Sequence, residues 1–302
     1  MAVPFYLVFY GACGLLACTC SHTQDAGKAS PPPASVQSRA KAGEPAVPPA
    51  TASNQPLGAK VHDEPAAGPA GPAATISHGT GLAPVAVVEL FTSEGCSSCP
   101  SADRALADIE ERRRREGQNV IALAFHVDYW NRLGWRDRFS RRAYSDRQRW
   151  YAQHEPEPRV YTPQMIVQGR EEFIGSHREV AQRAIEKALS EPARAGVALE
   201  SHGLRAQRWQ TSFAVERAKP EDHLTLALLQ SRATSRVSAG ENAGRTLKHV
   251  NIVVDYAQKR VASGRGSWNP EYQPGVDLVL VAVVQDQESL EVLGAKSLLL
   301  TP

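Results

Sequence analysis

The sequence predicts an α/β domain that carries a helical insertion and is followed by an all-β domain of sandwich or barrel type. Three observations point to it. A CxxC, Cys96-Ser97-Ser98-Cys99, sits where an apolar β-branched run gives way to an amphipathic helix. Beyond it the elements follow in the order strand, helix, strand, hairpin, helix. From about Gly196 the apolar period changes to two and persists to the C-terminus. At 302 residues the chain is long enough for two domains of roughly 150 each. Its 34 basic and 32 acidic side chains leave a net charge of +2, which argues against a nucleic-acid binder. With 42% hydrophobic residues the chain is not disordered as a whole, and it has no apolar run of the 18 or more residues that a membrane-spanning helix needs.

The N-terminal stretch is organised differently. Residues 1–17 read as an export signal, with a short apolar run from Val3 to Leu16 that ends in small residues. Leu15-Leu16-Ala17-Cys18 resembles a bacterial lipobox, which makes Cys18 the candidate lipidation site; the alternative is an ordinary cleaved signal peptide. Residues 18–83 hold ten of the 21 prolines, and residues 21–83 contain no Phe, Trp or Tyr. Such a segment buries too little apolar area to offset its chain entropy, so it is expected to be a disordered tether spanning up to roughly 200 Å. An extracytoplasmic protein on the periplasmic side, held at a membrane by its lipid or else secreted, follows from these features.

The folded region opens at residue 84. Residues 84–91 are apolar and β-branched and read as a buried strand. Thr92 to Gly95 form a turn, and after the CxxC a helix carries Asp103 and Asp108 early and Arg112 to Arg115 late, in keeping with the helix dipole. A thiolate at Cys96 would face unpaired N–H groups at the positive helix end, which lowers a thiol pKa. Cys99, one turn further on, can resolve a mixed disulfide. Pro100 suits a first helical turn, where no N–H is needed. A structural disulfide over so short a loop restrains little of the unfolded chain. A zinc site needs about four ligands, and no second CxxC or paired histidine motif exists. A redox or metal-relay pair is the preferred reading.

Residues 120–127 (VIALAFHV) form a second continuous apolar strand. Residues 164–167 and 171–175 read as a hairpin around Gly169, and Ser176 is placed to cap a helix through Leu189. Pro163, directly before the third strand, is where a cis peptide is expected.

This order of elements resembles the thioredoxin fold over residues 84–192. The resemblance implies that Thr162 and Pro163 position a substrate peptide beside Cys96. Thioredoxin-like enzymes often bury an acid six residues before the first cysteine; here Leu90 holds that spacing and Glu89 stands one residue earlier, as a candidate modulator. The strings ELFTSEGCSSCPSADRAL (89–106), AFHVDYWNRLGWRDRFS (124–140), VYTPQMIVQGREEFIGS (160–176) and GENAGRTLKHVNIVV (240–254) resemble those of the secreted bacterial family known as domain of unknown function 1223. That resemblance implies a thioredoxin-like domain with a β-rich C-terminal domain, and no established substrate.

The resemblance also places strand ends and the cis-proline loop on one rim, so that His126 and Asp128 are candidate thiol modulators or proton carriers. Trp130 and Trp135 are read as pinning the insertion to the core. Residues 103–150 hold twelve arginines against eight acids, read as a solvated face. Residues 193–302 are expected to form the β-rich domain, in which Glu241, Asn242 and Arg245 order a turn or contact a partner. The remaining histidines, His249 included, are read as surface or satisfied residues. The leading expectation is therefore an extracytoplasmic thiol–disulfide oxidoreductase working on protein thiols, disulfides or another redox protein, with no cofactor, no bound metal and no nucleic-acid partner. The alternatives are a redox-inactive binding or assembly module and a Cu(I)-handling protein of the cell envelope.

Overall fold

The structure is a computed structural model that describes residues 82–271 and 273–301. The export segment 1–17, Cys18 and all but the last two residues of the 18–83 tether lie outside the described residues.

The chain enters strand β1 (Ala86–Thr92), all seven residues of which are buried. It turns through residues 93–98 into helix α1 (Cys99–Glu116), with Pro100 in the first turn and arginines 113, 114 and 115 in the last, where the helix dipole favours cations. No acid lies in the first turn; Asp103 is one turn inside and buried. Gly117 ends α1 at φ 65°, a left-handed conformation suited to glycine. Strand β2 (Val120–His126) returns parallel to β1, with Thr92 opposite His126. A 3-10 turn (Asn131–Leu133) and helix α2 (Arg142–Ala152) follow. Strands β3 (Gln164–Val167) and β4 (Glu171–Ile174) form an antiparallel hairpin. Helix α3 (Arg178–Ser190) comes next; His177 rather than Ser176 holds its N-cap position, without a side-chain bond.

The remaining elements are strands β5 (Gly196–Arg205), β6 (Arg208–Glu216), β7 (His223–Arg236), β8 (Thr246–Arg260), β9 (Arg265–Ser267), β10 (Leu278–Gln285) and β11 (Val292–Leu300). Eight strands make one mixed sheet in the order β11-β10-β7-β8-β2-β1-β3-β4. Its parallel pairs are β8–β2, through Ala124 beside Ile252, and β2–β1. Strands β5, β6 and β9 form a small antiparallel sheet of their own.

This architecture overturns the expected fold class. The described residues are mostly β with three α-helices, and they are not a thioredoxin-like α/β domain with a helical insertion followed by an all-β sandwich or barrel. The outer edge of β2 pairs with β8, so strands from both halves of the folded region share one sheet. The physical reason is burial on both faces. A sandwich strand alternates apolar and polar residues, whereas β2, β7 and β10 carry nearly continuous buried runs (VIALAF, LTLALL, LVLVAVV), interrupted only by the polar Thr225 and the half-buried Val279, that fit the middle of a covered sheet. One core cluster accordingly crosses the β2–β8 seam, packing Phe91, Phe125, Tyr144 and Tyr151 with Leu229, Val253 and Val283. A second places α1 and α3 against β1 to β3 through Leu106, Ile185, Leu90 and Met165. A third seats Trp209 and Phe213 of β6 on Leu226, Ile252 and Leu280.

Candidate functional site

The cysteines close the turn between β1 and α1. Their sulfurs are 2.28 Å apart, at disulfide distance, with Cα atoms 5.4 Å apart. Both cysteines are wholly buried, while Ser97 and Ser98 between them are exposed. The turn is held by the Cys96 N–H donating to the Ser93 carbonyl and the Cys99 N–H to the Cys96 carbonyl, each at 3.2 Å.

Two loops collar this turn. From residues 127–141, the Trp130 Cβ lies 3.2 Å from where a side chain on Gly95 would begin, and the Trp130 indole N–H donates to Thr162 Oγ1 at 2.7 Å. The Trp135 indole N–H donates to Glu94 Oε2 at 2.7 Å. From the β7–β8 connection, the buried Asn242 amide donates to the carbonyls of Glu94 and Cys96 at 2.8 and 2.9 Å. The Glu241 carboxylate accepts the Ser97 N–H at 2.9 Å, an acid on a donor of the α1 N-terminal turn. The Arg245 guanidinium donates to Asn242 Oδ1 at 2.7 Å and orients the amide.

Behind the turn is a buried group of acids and imidazoles. His249 of β8 bridges the two sides of the cysteine turn: its Nε2 is 3.4 Å from Glu94 Oε1, and its Nδ1 is 3.5 Å from Asp103 Oδ2. These are ionic contacts, without hydrogen-bond geometry. Asp103 Oδ1 accepts from the Thr92 hydroxyl at 2.8 Å. Burial pulls the His249 pKa down, but Asp103 and Glu94 outweigh it and raise it to about 9. Burial raises the Glu94 pKa, yet His249, Ser235 and Trp135 together bring it below the usual carboxylate value, against the opposing charge of Asp137. His126, at the end of β2, meets Asp137 Oδ2 through Nδ1 at 2.7 Å, and its ring stands edge-on to His249 with centroids 4.8 Å apart. Asp137 also accepts the N–H groups of Glu94 and Phe139, both at 2.9 Å. Burial opposes its charge, but His126 and these N–H groups hold its pKa low. An ionised Asp137 only accepts, so Nδ1 of His126 carries the hydrogen between them.

The other expected site residues lie elsewhere or play other parts. Glu89 points away from the cysteines into the core and makes a bidentate ion pair with Arg147 of α2, at 2.6 Å for both bonds. Tyr151 adds a hydroxyl bond to Glu89 at 2.8 Å. Asp128 accepts from the Ser145 hydroxyl at 2.5 Å and ties the insertion to α2. The Thr162–Pro163 peptide is cis, and the Pro163 carbonyl accepts the Gly175 N–H at 2.9 Å. A side chain on Gly175 would meet Leu90, Ala102 of α1 and Pro163 together, which sets Pro163 close to the first turns of α1. Among the described residues no group of three or more His, Cys, Asp and Glu side chains is arranged to hold a metal ion.

Glu94, Asp103, Asp137 and His249 carry no sequence mark of membership in one group beyond position. The available signal was their position: all four fall within the strings quoted above, and Glu94 and Asp103 flank the CxxC itself.

The model of the family described as protein of unknown function DUF1223 matches residues 87–285. The chain belongs to the DUF1223 family. Among solved structures, this DUF1223 protein is similar to one from Agrobacterium tumefaciens, with 24% identity, a TM-score of 0.52, and coverage of 72% of this chain and 95% of that one. The likeness is one of fold. HBP35 of Porphyromonas gingivalis matches at 18% identity and TM-score 0.49, over 72% of this chain and 75% of that chain. A domain of the outer membrane lipoprotein Omp28 from the same organism matches at 14% identity and TM-score 0.20, over 35% of this chain and 87% of that one. These two superpose too loosely to carry an argument. No curated protein matches this DUF1223 chain.

Proposed function

We propose that this DUF1223 protein is an extracytoplasmic thiol–disulfide oxidoreductase acting through Cys96 and Cys99. The observation that carries the reading is the cysteine pair at the N-terminus of α1, joined at disulfide distance, with only Ser97 and Ser98 exposed between them. A thiolate formed at Cys96 faces the positive end of an 18-residue helix. In the reduced form, Cys96 attacks a partner disulfide and displaces one partner thiolate. Cys99 then loses its proton and attacks Cys96 Sγ, releasing the second partner thiol and re-forming the internal disulfide. The pair gives up two electrons and the partner disulfide accepts them; a partner dithiol drives the reverse sequence. Thr162 and Pro163 would position the partner chain. The apolar segment ahead of Cys18 supports export and attachment to a membrane by a lipid.

The burial of both cysteines favours a second reading, in which the disulfide is permanent and the protein is a redox-inactive binding or assembly module. Trapping separates the two. In cells, a Cys99→Ala variant is expected to accumulate mixed disulfides with partner proteins, and the isolated pair to equilibrate with glutathione buffers. No trapped partner, together with a potential below about −300 mV, would support the permanent disulfide.

A further inference from the structure

We propose that Glu241 sets the redox poise of the cysteine pair: its carboxylate occupies the N–H that follows Cys96 and opposes a thiolate there, which holds the pair toward the disulfide. The inference rests on the thiol–disulfide reading above. Three observations carry it.

The first is the contact itself. Glu241 Oε2 accepts the Ser97 N–H at 2.9 Å, and the Ser97 nitrogen is bonded to the Cys96 carbonyl carbon. Cys96 Sγ lies 3.3 Å from Ser98 Oγ, so the sulfur sits beside the segment that carries the carboxylate. A thiolate at Cys96 can draw on the Ser98 hydroxyl, while the donor between them is already given to an anion. The second is fixed placement. Exposed carboxylates ordinarily swing in solvent and contribute little. Here both neighbours of Glu241 are held. A side chain on Gly240 would begin 3.2 Å from Trp135 Cβ and 3.4 Å from the Leu133 carbonyl oxygen, so the β7–β8 connection lies against the 127–141 loop. Asn242 is wholly buried and bound to the carbonyls of Glu94 and Cys96.

The third is charge. Among the described residues Glu241 has no ion-pair partner, and the side chain and N–H of Ser97 hold its carboxyl below the usual pKa, so it is ionised at neutral pH. The other charged groups around the turn are Glu94 beside it, Asp103 from α1, Asp137 from the 127–141 loop, His249 from β8, and Arg245, which is turned onto Asn242. Glu94, Asp103 and Asp137 lie behind the turn; Glu241 meets it between the two cysteines. Because Cys96 is wholly buried, the field that reaches its sulfur is screened less than one between surface charges.

The chemistry balances as follows. Two glutathione thiols are oxidised to glutathione disulfide and pass two electrons to the Cys96–Cys99 bond, which breaks. Of the two protons released, one ends on Cys99 and the other goes to solvent, since Cys96 stays a thiolate. Glu241 destabilises that thiolate, so less reduced protein forms at a given glutathione ratio. Removing the charge makes the pair a stronger oxidant.

Glu241 acts through the Ser97 amide and is a positioning residue, so the test reads thiol ionisation and the redox equilibrium. Glu241→Gln removes the charge but keeps an oxygen that accepts the Ser97 N–H; Glu241→Lys reverses the charge. The Cys96 thiolate is followed by its ultraviolet absorbance from pH 4 to 10 in the Cys99→Ala background, with the signal of Cys96→Ala/Cys99→Ala subtracted to remove the other cysteines. The acid dissociation constant of Cys96 is expected to be at least about threefold larger in Glu241→Gln than with Glu241 in place, and larger again in Glu241→Lys. High salt should shrink the difference. In glutathione buffers at pH 8, the two-cysteine protein carrying Glu241→Gln should hold more of the reduced form. Superimposed titrations, or a shift to higher pH, would overturn the proposal. So would a shift confined to Glu241→Lys, which would assign the effect to lost support of the turn. Trapped mixed disulfides with unmoved titrations would sink the role of Glu241 alone, whereas moved titrations without any trapped partner would sink the exchange reading alone.

Discussion

Glu89 and Arg147 show what a buried charge does in this molecule. Both are sealed in the core, and Arg147 also donates to Thr225 and Gln285 at 3.2 and 3.1 Å, so every arm of the guanidinium is used. Removing one partner strands the other charge, and Glu89→Gln or Arg147→Met is expected to lose about 3–5 kcal/mol in urea unfolding. The double variant Glu89→Gln/Arg147→Met should lose clearly less than the sum of the two, because neither charge is left alone. Additive losses would show that the pair acts as two independent residues. His249 titrates in the opposite window to the acids. Its folded-state pKa of about 9 lies above the ordinary 6.5, so its contribution to stability is fully present below about pH 6.5 and is lost as pH rises through 9. Glu94 and Asp137 are depressed, so theirs is present above the ordinary carboxylate range and is lost as pH falls through their lowered values. The midpoint of urea unfolding should therefore fall between pH 7 and 10, and His249→Gln should flatten that slope. A native midpoint constant over this range would contradict the ionic bridge.

At the scale of elements, the β7–β8 connection acts as a strap on the cysteine turn. Asn242 donates twice to it, to the carbonyls of Glu94 and Cys96. Asn242→Ala leaves two buried carbonyls short of a donor and is expected to cost about 1–3 kcal/mol, with faster amide exchange in residues 93–99. Unchanged exchange there would mean that the turn holds itself. The turn and its neighbours were largely legible in the sequence. The strand before the CxxC, the helix after it and the hairpin around Gly169 follow from apolar period, Pro100 and turn chemistry, because those signals are local. The buried group was not. A lone histidine such as His249 carries no mark of its partners, which lie 146 or more residues away in the chain. Glu89 stands near the CxxC in sequence, yet in β1 it alternates onto the opposite face from Thr92 and meets α2 instead.

The whole molecule turns on the β8–β2 seam. The sequence signals for two domains were real changes of period, but periodicity does not say which strand edges meet. What decides it is that β2, β7 and β10 are apolar on both faces, which needs cover on each side. A fragment spanning residues 84–192 would expose the β2 edge and lose Leu229, Val253 and Val283 from the core that also holds Phe91 and Phe125. It is expected not to fold alone, and residues 82–302 should melt in one calorimetric transition. Two separate transitions, or a cooperatively folding fragment, would show that the halves are independent. The same seam brings His249, Asn242 and Glu241 to the cysteine turn, so the candidate site is built from both halves. Cys96 and Cys99 are proposed to exchange disulfides with a partner. The most direct test is thiol trapping of the Cys99→Ala variant in cells, with Cys96→Ala/Cys99→Ala as the control. Discrete mixed-disulfide adducts through Cys96 that vanish on reduction and in the control are expected; the absence of any Cys96-dependent adduct would contradict exchange.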